Sequence, residues 1–306
     1  MNTGFWASIS AVGLLLTGVP AKAANYEVET RTDVVFAEHD GVKLLGDLYS
    51  PKGMSKAPVL VAVHGGGWQN GARTFYQYWG PYLARNGIAL FAISYRLSKA
   101  DAKTYPGAVY DVKAGIQFVR AKATELGVDP DRIGLIGDSA GAHLVSLVAL
   151  AGGEPLFSSE YRNDPHAATP AGVKAVVGFY GVYDMQAQWT HDQIARPRDP
   201  ITEKFLGVSP MQSRRTYFDA SPLSYATIDK KDRTRFLLIY GTNDDIVDPQ
   251  TQSEAFLTAL KQASFFARAA VVPGAGHFWA SDPIEEAGSH GAKVAPQMLR
   301  FLRDGF

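Results

Sequence analysis

Ile133-Gly134-Leu135-Ile136-Gly137-Asp138-Ser139-Ala140-Gly141 carries an apolar run straight into a serine that has a glycine two positions away on each side. Ile133 to Ile136 predict a buried strand, and Ala140 to Leu150 predict a helix. Gly137 to Gly141 fits the pattern Gly-x-Ser-x-Gly, which presents a reactive serine on a sharp turn between a strand and a helix. Glycines are required because side chains there would collide with the neighbouring strand and helix. Ser139 is therefore the candidate nucleophile.

Short apolar or β-branched runs alternate along the chain with longer segments of helical period. This alternation is typical of an α/β protein with a mainly parallel sheet. The predicted strands are 32–37, 43–49, 59–63, 88–93, 133–136, 173–179, 236–240 and 267–272. The predicted helices are 75–86, 108–122, 140–150, 251–262 and one near 293–302. Asp40-Gly41 joins the first two strands and favours the tight turn of a hairpin.

The composition limits the class of protein. A chain of 306 residues with 46% hydrophobic content can bury a large core, so one catalytic domain is expected. Basic and acidic residues balance at 30 each, which argues against nucleic acid or an anionic membrane surface as a partner. The absence of cysteine excludes disulfides, a cysteine nucleophile and thiolate metal sites. The composition does not indicate an oligomeric state.

The N-terminus predicts export. Ile9 to Val19 is mostly apolar, and Ala21-Lys22-Ala23 has the small-x-small pattern of a cleavage site. Residues 1–23 are therefore expected to be a signal peptide, and residues 24–306 the catalytic domain of a periplasmic or secreted protein. Met1 to Ser8 contains no Lys or Arg, which is unusual for a signal. The alternative is a retained anchor, but the run is shorter than the roughly 20 residues of a stable membrane span.

About 55 residues separate the predicted strands 173–179 and 236–240. The segment from about 183 to 232 is polar, aromatic and rich in Pro, and it contains Trp189. Connections of this length inside a compact domain are usually lids or binding loops, so the segment is interpreted as a small cap insertion. An inert surface excursion is the alternative.

A nucleophilic serine needs a base, because its hydroxyl is hardly ionised at neutral pH. His277 is the best placed of the seven histidines, since it follows the last predicted strand through Pro273-Gly274-Ala275-Gly276. The chain order Ser, then Asp, then His puts the base of Gly-x-Ser-x-Gly hydrolases in this loop. His143, one turn into the helix after Ser139, is expected to be structural, and His290 to be exposed or to begin a helix.

The acid that orients His277 is expected just beyond the strand that ends at Tyr240, where Asp244, Asp245 and Asp248 are candidates. Asp248 precedes Pro249 and fits the N-cap of the next helix. Between the other two, the distance from the strand end favours Asp244 and leaves Asp245 open.

His64-Gly65-Gly66-Gly67-Trp68 follows the strand 59–63. Esterases with a Gly-x-Ser-x-Gly serine carry a His-Gly-Gly-Gly loop here, and its bare N–H groups reach the oxyanion of the reaction. The predicted donors are the amides of Gly66, Gly67 and Ala140, with His64 bracing the loop. Trp68, Trp189 and Trp279 flank the glycine loop, the cap and His277, so they could line an acyl or aryl pocket. Ordinary core burial explains each of them equally well.

Taken together, HGGGW, GDSAG, Gly241-Thr242-Asn243-Asp244 with Val247, and Gly276-His277-Phe278 resemble hormone-sensitive-lipase-like esterases, most closely the bifunctional feruloyl and acetyl-xylan esterases. The resemblance runs from about Asp40 to the C-terminus and is weakest in the cap. It implies an α/β-hydrolase fold, with a mainly parallel eight-stranded sheet flanked by helices, and it implies Asp244 as the acid. Many relatives have Gly-Gly-His after the serine and alanine, where this chain has Gly141-Ala142-His143. The long N-terminal cap of some relatives is missing, which assigns pocket formation to Tyr183 to Asp232.

These residues predict a serine carboxylesterase that hydrolyses short acyl or aryl esters through an acyl-enzyme. The expected substrate is a small-molecule or polysaccharide-linked ester, such as an acetyl or feruloyl ester of plant polysaccharide. No metal ion or organic cofactor is expected. An amidase or peptidase of the arylformamidase kind is one alternative, and a non-catalytic ligand-binding relative is the other.

Overall fold

The computed structural model describes residues 25–230 and 234–306. The predicted signal peptide at 1–23 and the predicted start of the mature chain at Ala24 lie outside the described residues. The strands of the described residues are β1 (Val28–His39), β2 (Val42–Pro51), β3 (Ala57–Val63), β4 (Ala89–Ile93), β5 (Val128–Asp138), β6 (Ala175–Phe179), β7 (Arg235–Gly241) and β8 (Ala267–Val272).

The α-helices of the described residues are α1 (Trp79–Arg85), α2 (Gly107–Ala121), α3 (Ala123–Leu126), α4 (Ala140–Ala151), α5 (Met185–Ala195), α6 (Ile201–Leu206), α7 (Arg214–Asp219), α8 (Ala255–Gln262) and α9 (His290–Arg303). In this part of the chain no helix combines the length and the apolar character that crossing a membrane requires.

Within the described residues, eight strands form one sheet in the order β1-β2-β4-β3-β5-β6-β7-β8. The pairs from β4 and β3 through to β8 are parallel, while β1 and β2 form an antiparallel hairpin that joins β4. Asp40 and Gly41 of the hairpin turn have φ angles of 51° and 75°, as that turn requires. The predicted mainly parallel, eight-stranded sheet is confirmed.

Two apolar layers cover the sheet because side chains alternate between its faces along each strand. Val59, Val61 and Val63 of β3 face the layer that contains α2, α4 and α8. Leu60 and Ala62 of the same strand face the layer that contains α1 and α9. The parallel strands are thus buried on both sides, which explains their continuous apolar sequences.

The parallel register brings the ends of neighbouring strands to one edge of the sheet. Val63 at the end of β3 pairs with Gly137, and Asp138 at the end of β5 pairs with Phe179 at the end of β6. Gly241 at the end of β7 pairs with Val272 at the end of β8. The segments that follow β3, β5, β6, β7 and β8 therefore meet at the carboxyl edge of the sheet.

Three predicted helices differ from the observed ones at their N-termini. The predicted helix 251–262 begins with a π-helical turn at Gln250–Glu254, which α8 follows. The predicted helix 75–86 is a 3-10 turn at Arg73–Tyr76 followed by the shorter α1. Pro81 lies in the first turn of α1, the part of a helix where its missing N–H is tolerated. The last helix, α9, begins earlier than predicted because Ser289 accepts a hydrogen bond from the amide of Ala292 (3.0 Å).

The segment predicted as a cap is a helical insertion between β6 and β7 that contains α5, α6 and α7. Its predicted end, at 231–232, lies outside the described residues. Asp184 caps α5 by accepting from the amide of Ala187 (3.0 Å), and Ser213 caps α7. Phe205 and Tyr217 are 0% and 1% exposed, so the insertion is packed onto the layer that contains α4.

The first turn of α4 lies against the end of β3 without room for a side chain. A Cβ atom at Gly141 would lie 1.9 Å from the carbonyl oxygen of Val63, and one at Gly137 would lie 2.5 Å from the carbonyl carbon of Gly141. Both obstacles are backbone atoms, so neither can move aside without shifting the elbow.

Gly141→Ala should therefore lower the free energy of unfolding by at least about 3 kcal/mol, at the upper end of overpacking effects. Gly153→Ala is the matched control, because a Cβ there meets no atom within 4 Å and should change the free energy by less than about 1 kcal/mol. Urea unfolding of both variants measures the difference. Equal midpoints would contradict the steric argument.

Candidate active site

Ser139 sits in the turn between β5 and α4, in a strained backbone conformation. Its φ and ψ are 51° and −119°, a region that non-glycine residues rarely adopt. The conformation is held by hydrogen bonds on both sides: the amide of Ser139 donates to the carbonyl of Phe179 (2.9 Å), and the amide of His143 donates to the carbonyl of Ser139 (3.1 Å). The elbow predicted from the glycine spacing is present.

His277 and Asp244 meet Ser139 at the carboxyl edge of the sheet. Nε2 of His277 lies 2.9 Å from Oγ of Ser139, and Nδ1 of His277 lies 2.7 Å from Oδ2 of Asp244. The His277 and Asp244 side chains are only 2% and 1% exposed. The structure thus brings together the three residues that the sequence placed far apart, in hydrogen-bonding order.

Only one of the three candidate acids contacts His277. Oδ1 of Asp244 accepts from the amides of Ile246 (3.0 Å) and Val247 (2.9 Å), which leaves Oδ2 to face the imidazole. The neighbouring Asp245 is exposed. Asp248 accepts from the amide of Thr251 (3.0 Å), the capping role expected for it. The turn that follows Asp244 therefore orients its carboxylate.

The loops that carry Asp244 and His277 are tied to each other. The amide of Asn243 donates to the carbonyl of Ala275 (2.9 Å), and a Cβ at Gly241 would lie 2.1 Å from that same oxygen. Tyr180, the residue after β6, places its ring 4.3 Å from the ring of His277. Its hydroxyl accepts a hydrogen bond from the amide of Ala280 (2.9 Å). Tyr180 therefore contacts both the ring of His277 and the segment that follows His277.

The predicted oxyanion donors lie around Ser139. Gly66 and Gly67 line the same cavity as Ser139 and have φ angles of 111° and 59°, which an ordinary residue rarely adopts. The backbone amides of Gly66 and Gly67 donate to no acceptor among the described residues. Ala140 is 1% exposed at the start of α4, where a backbone N–H has no acceptor inside the helix. Ala140 is not among the residues that line the cavity.

Asp138, the variable residue of the serine motif, anchors the glycine loop. Its Oδ1 accepts from the amide of Gly65 (3.1 Å) and from the hydroxyl of Tyr76 (3.1 Å). Burial raises the pKa of Asp138 from its ordinary 3.8 to about 6, although the hydrogen bonds from Tyr76 and Gly65 lower it. The charged form is therefore held in the protein at a cost in stability.

The two buried histidines near Ser139 are structural, as predicted. Nδ1 of His64 lies 2.8 Å from the carbonyl of Gly65, which braces the loop. His143 accepts from Nε1 of Trp68 (3.1 Å) and donates through Nε2 to the carbonyl of Ala220 (2.8 Å), which links the elbow helix to the insertion. Burial lowers the pKa of each imidazole to about 4, so both are neutral near pH 7.

The three tryptophans do not line the cavity, which corrects the pocket role considered for them. Trp68 is 0% exposed and stacks on Phe205, with ring centroids 4.7 Å apart. Trp279 is 4% exposed and packs against Phe179, and Trp189 donates to Glu203 inside the insertion (2.6 Å). Trp68 and Trp279 are therefore core residues, and Trp189 is a partly buried residue that packs against the core.

A cavity of about 440 Å³ opens over Ser139 and His277. Its lining includes the aromatic residues Phe75, Tyr180 and Phe278, and it also includes Arg196, Ile201 and Lys204 of the insertion. Within residues 25–230 and 234–306, no group of three or more His, Cys, Asp or Glu side chains is arranged to hold a metal ion.

Sequence reasoning missed Asp138, Tyr180 and Arg196 at this site. Asp138 occupies an unspecified position of the motif, although a carboxylate beside a buried strand end was a signal. Tyr180 could have been suspected because it directly follows β6 at the carboxyl edge. Arg196 carried no signal, since its contact with the cavity depends on how the insertion folds.

The BD-FAE family model matches residues 46–260 of the chain. The probable carboxylic ester hydrolase LipM of Mycobacterium tuberculosis is 34% identical over 212 residues, which are 68% of this chain and 46% of that protein. The chain spans about half the length of the curated relatives it matches.

Two solved structures share the fold. Native esterase 2 of Thermogutta terrifontis is 25% identical with a TM-score of 0.67, and the match covers 93% of this chain and 92% of that one. The bifunctional GH43-CE protein of Bacteroides eggerthii is 25% identical with a TM-score of 0.74, and the match covers 90% of this chain and 38% of that one. Both superpose on the hydrolase sheet rather than on an isolated motif.

Replacing Asp138 should reveal the cost of its buried charge. The folded state binds this proton more tightly than the unfolded state, so the contribution of Asp138 to stability falls as the pH rises from 3.8 to about 6. Asp138→Asn keeps an acceptor for Gly65 and Tyr76 but cannot ionise. The free energy of unfolding of the variant, relative to the wild type, should rise by about 2 kcal/mol between about pH 4.5 and about pH 7.

Urea unfolding of both proteins at the two pH values measures this change. Because the two proteins differ only at residue 138, the difference between their free energies of unfolding removes the contributions of all other titrating groups. A difference between the proteins that stays constant with pH would show that Asp138 ionises in the protein as it does in the unfolded chain.

Proposed function

The chain belongs to the BD-FAE family, and from that membership and the contact between Ser139 and His277 we propose that it is a serine carboxylesterase that works through an acyl-enzyme. The carrying observation is the 2.9 Å distance from Nε2 of His277 to Oγ of Ser139, with Asp244 2.7 Å from the other ring nitrogen. This arrangement activates a hydroxyl for attack on a carbonyl. The names of two similar proteins, the probable carboxylic ester hydrolase LipM and esterase 2 of Thermogutta terrifontis, agree with ester substrates.

In the first half of the reaction, Oγ of Ser139 attacks the ester carbonyl carbon while Nε2 of His277 accepts the hydroxyl proton. Asp244 holds Nδ1 and stabilises the imidazolium that forms. His277 then gives this proton to the leaving alcohol, which leaves Ser139 acylated. In the second half, His277 takes a proton from water, the hydroxide attacks the acyl carbon, and the proton returns to Oγ of Ser139 as the acid departs.

The developing oxyanion needs donors that point at it before the reaction begins. We assign this role to the amides of Gly66, Gly67 and Ala140. The support for Gly66 and Gly67 is their place on the cavity wall beside Ser139 and the anchoring of the preceding Gly65 by Asp138. The support for Ala140 is its unpaired N–H at the start of α4.

The substrate is inferred to be a short acyl or aryl ester, including acetyl or feruloyl esters linked to polysaccharide. The aromatic rings of Phe75 and Phe278 line the cavity and offer apolar contacts for an aryl group. The lining also includes the charged residues Arg196, Asp199 and Lys204, which a long alkyl chain would have to desolvate. The name of the Bacteroides eggerthii neighbour, GH43-CE, is consistent with esters on carbohydrate.

Replacing the triad residues tests the mechanism. Ser139→Ala should abolish labelling by a fluorophosphonate probe and lower kcat for 4-nitrophenyl acetate by roughly 10⁴-fold, because no other hydroxyl of the described residues is hydrogen-bonded to His277. Asp244→Asn should lower kcat by roughly three orders of magnitude, because the amide disfavours the imidazole tautomer that accepts the serine proton.

Asp245→Asn is the matched control, since this carboxylate is adjacent in sequence but exposed. Its kcat should stay within about twofold of the wild type, as for most surface substitutions. Near wild-type turnover by Ser139→Ala would refute the mechanism, and equal losses in the two aspartate variants would refute the assignment of the acid.

A substrate panel tests the inferred specificity. With 4-nitrophenyl esters from acetate to palmitate, kcat/KM should be highest for short chains and at least about tenfold lower for palmitate, because a long chain must displace water from the charged wall. Methyl ferulate and acetylated xylan should be hydrolysed. A matched acetanilide should react far more slowly than the ester, and equal rates on both would instead indicate an amidase.

A further inference from the structure

The insertion contributes several charged residues to the lining of the cavity. Arg196, Asp199, Ile201 and Lys204 line it, although all four lie between β6 and β7 and none follows a strand directly. The wall adjoins the glycine loop, since a Cβ at Gly67 would lie 3.9 Å from Cγ2 of Ile201. A substrate held near Ser139 therefore contacts both the sheet edge and the insertion.

Arg196 is the most constrained charge of this wall. Its Nε donates to Oδ1 of Asp192 (3.0 Å), and its Nη2 donates to the carbonyl of Ile246 (2.5 Å). The side chain is 20% exposed and Nη1 donates to none of the described residues. These two bonds fix one edge of the planar guanidinium and leave other N–H groups open to the cavity that Arg196 lines.

The surrounding charges leave this guanidinium available to an anion. Asp199 pairs with Lys204, whereas Arg196 pairs with Asp192 through Nε (3.0 Å), so this ion pair engages only one edge of the guanidinium. Asp192 is 0% exposed, lies outside the cavity lining and also accepts from Gln188 (2.9 Å). Burial raises the pKa of Asp192, although the hydrogen bond from Gln188 and the charge of Arg196 lower it. Asp192 thus serves as a fixed support behind Arg196.

We propose that Arg196 binds a carboxylate on the substrate, so that the site prefers esters that carry an anionic group on either the acyl or the alcohol part. This inference rests on the proposed esterase function. A fixed guanidinium with free N–H groups fits the planar carboxylate through two parallel hydrogen bonds, which neither a hydroxyl nor an amide can match. The aromatic rings of Phe75 and Phe278 then receive the uncharged part of the ester.

A purely structural role for Arg196 makes a different prediction. Its bond to Ile246 reaches the turn that orients Asp244, because the amide of Ile246 donates to Oδ1 of Asp244 (3.0 Å). Loss of that support would slow anionic and neutral esters alike. The ratio of kcat/KM for matched anionic and neutral esters separates the two roles, because only recognition of charge changes it.

The experiment compares two matched pairs at low ionic strength. The acyl-side pair is mono-4-nitrophenyl adipate and 4-nitrophenyl hexanoate, and the alcohol-side pair is 4-acetoxybenzoate and its methyl ester. In Arg196→Gln the anionic-to-neutral ratio should fall at least about tenfold for one pair, mainly through KM, as expected for a charged hydrogen bond. Arg196→Lys should retain part of the ratio. Arg198→Gln, an exposed arginine outside the cavity, should leave it unchanged.

The salt dependence of the kcat/KM ratio provides a second test, which needs only the wild-type protein. The wild-type ratio should fall as sodium chloride is raised, because ions screen the attraction between the guanidinium and the carboxylate. A ratio that is the same in the wild type and in Arg196→Gln for both pairs would overturn the proposal and leave Arg196 as a structural support. Absence of turnover of all four esters by the wild type would refute the esterase function itself, and the carboxylate site with it.

Discussion

The contact between the first turn of α4 and the end of β3 is the constraint on which the site depends. The backbone of Gly141 approaches the carbonyl of Val63 so closely that a Cβ would lie 1.9 Å from it. This approach sets Ser139 at the sheet edge beside the loop that leaves β3. The strained φ of 51° at Ser139 persists because both of its neighbours are tightly packed. Gly137 lies against the backbone of Gly141, and Gly141 lies against the backbone of Val63. The close packing of the elbow therefore accounts for both the location of Ser139 and its strained backbone.

The buried carboxylate of Asp138 lowers the stability of the protein but holds the glycine loop in position. A buried carboxylate costs free energy, yet this one accepts the amide of Gly65 and so holds the glycine loop beside Ser139. Tyr76, itself 2% exposed, supplies the second hydrogen bond that makes the buried charge tolerable. The loop thus depends on a side chain of the serine motif itself, which couples the position of Ser139 to that of Gly66 and Gly67.

The sequence was sufficient to predict the sheet, the elbow and the order of Ser139, Asp244 and His277, because these features follow from local patterns at the ends of strands. Asp244 was favoured over Asp245 by its spacing from the strand end and by the family resemblance, and the turn that orients its carboxylate explains the outcome. The sequence left the tryptophans open between pocket lining and core burial, because proximity in sequence to a site residue does not set the direction of a side chain. Arg196 was missed since its partners, Asp192 and Ile246, belong to separate segments that meet only in the folded chain.

The insertion is connected to the triad by a continuous chain of hydrogen bonds. Arg196 donates to the carbonyl of Ile246, which shares a peptide unit with the amide of Val247. That amide donates to Asp244, which in turn faces His277. A substrate group that contacts Arg196 therefore contacts the side chain bound to a peptide unit that orients the acid. Since that unit is shared, a change in the insertion alters the substrate wall and the support of Asp244 together.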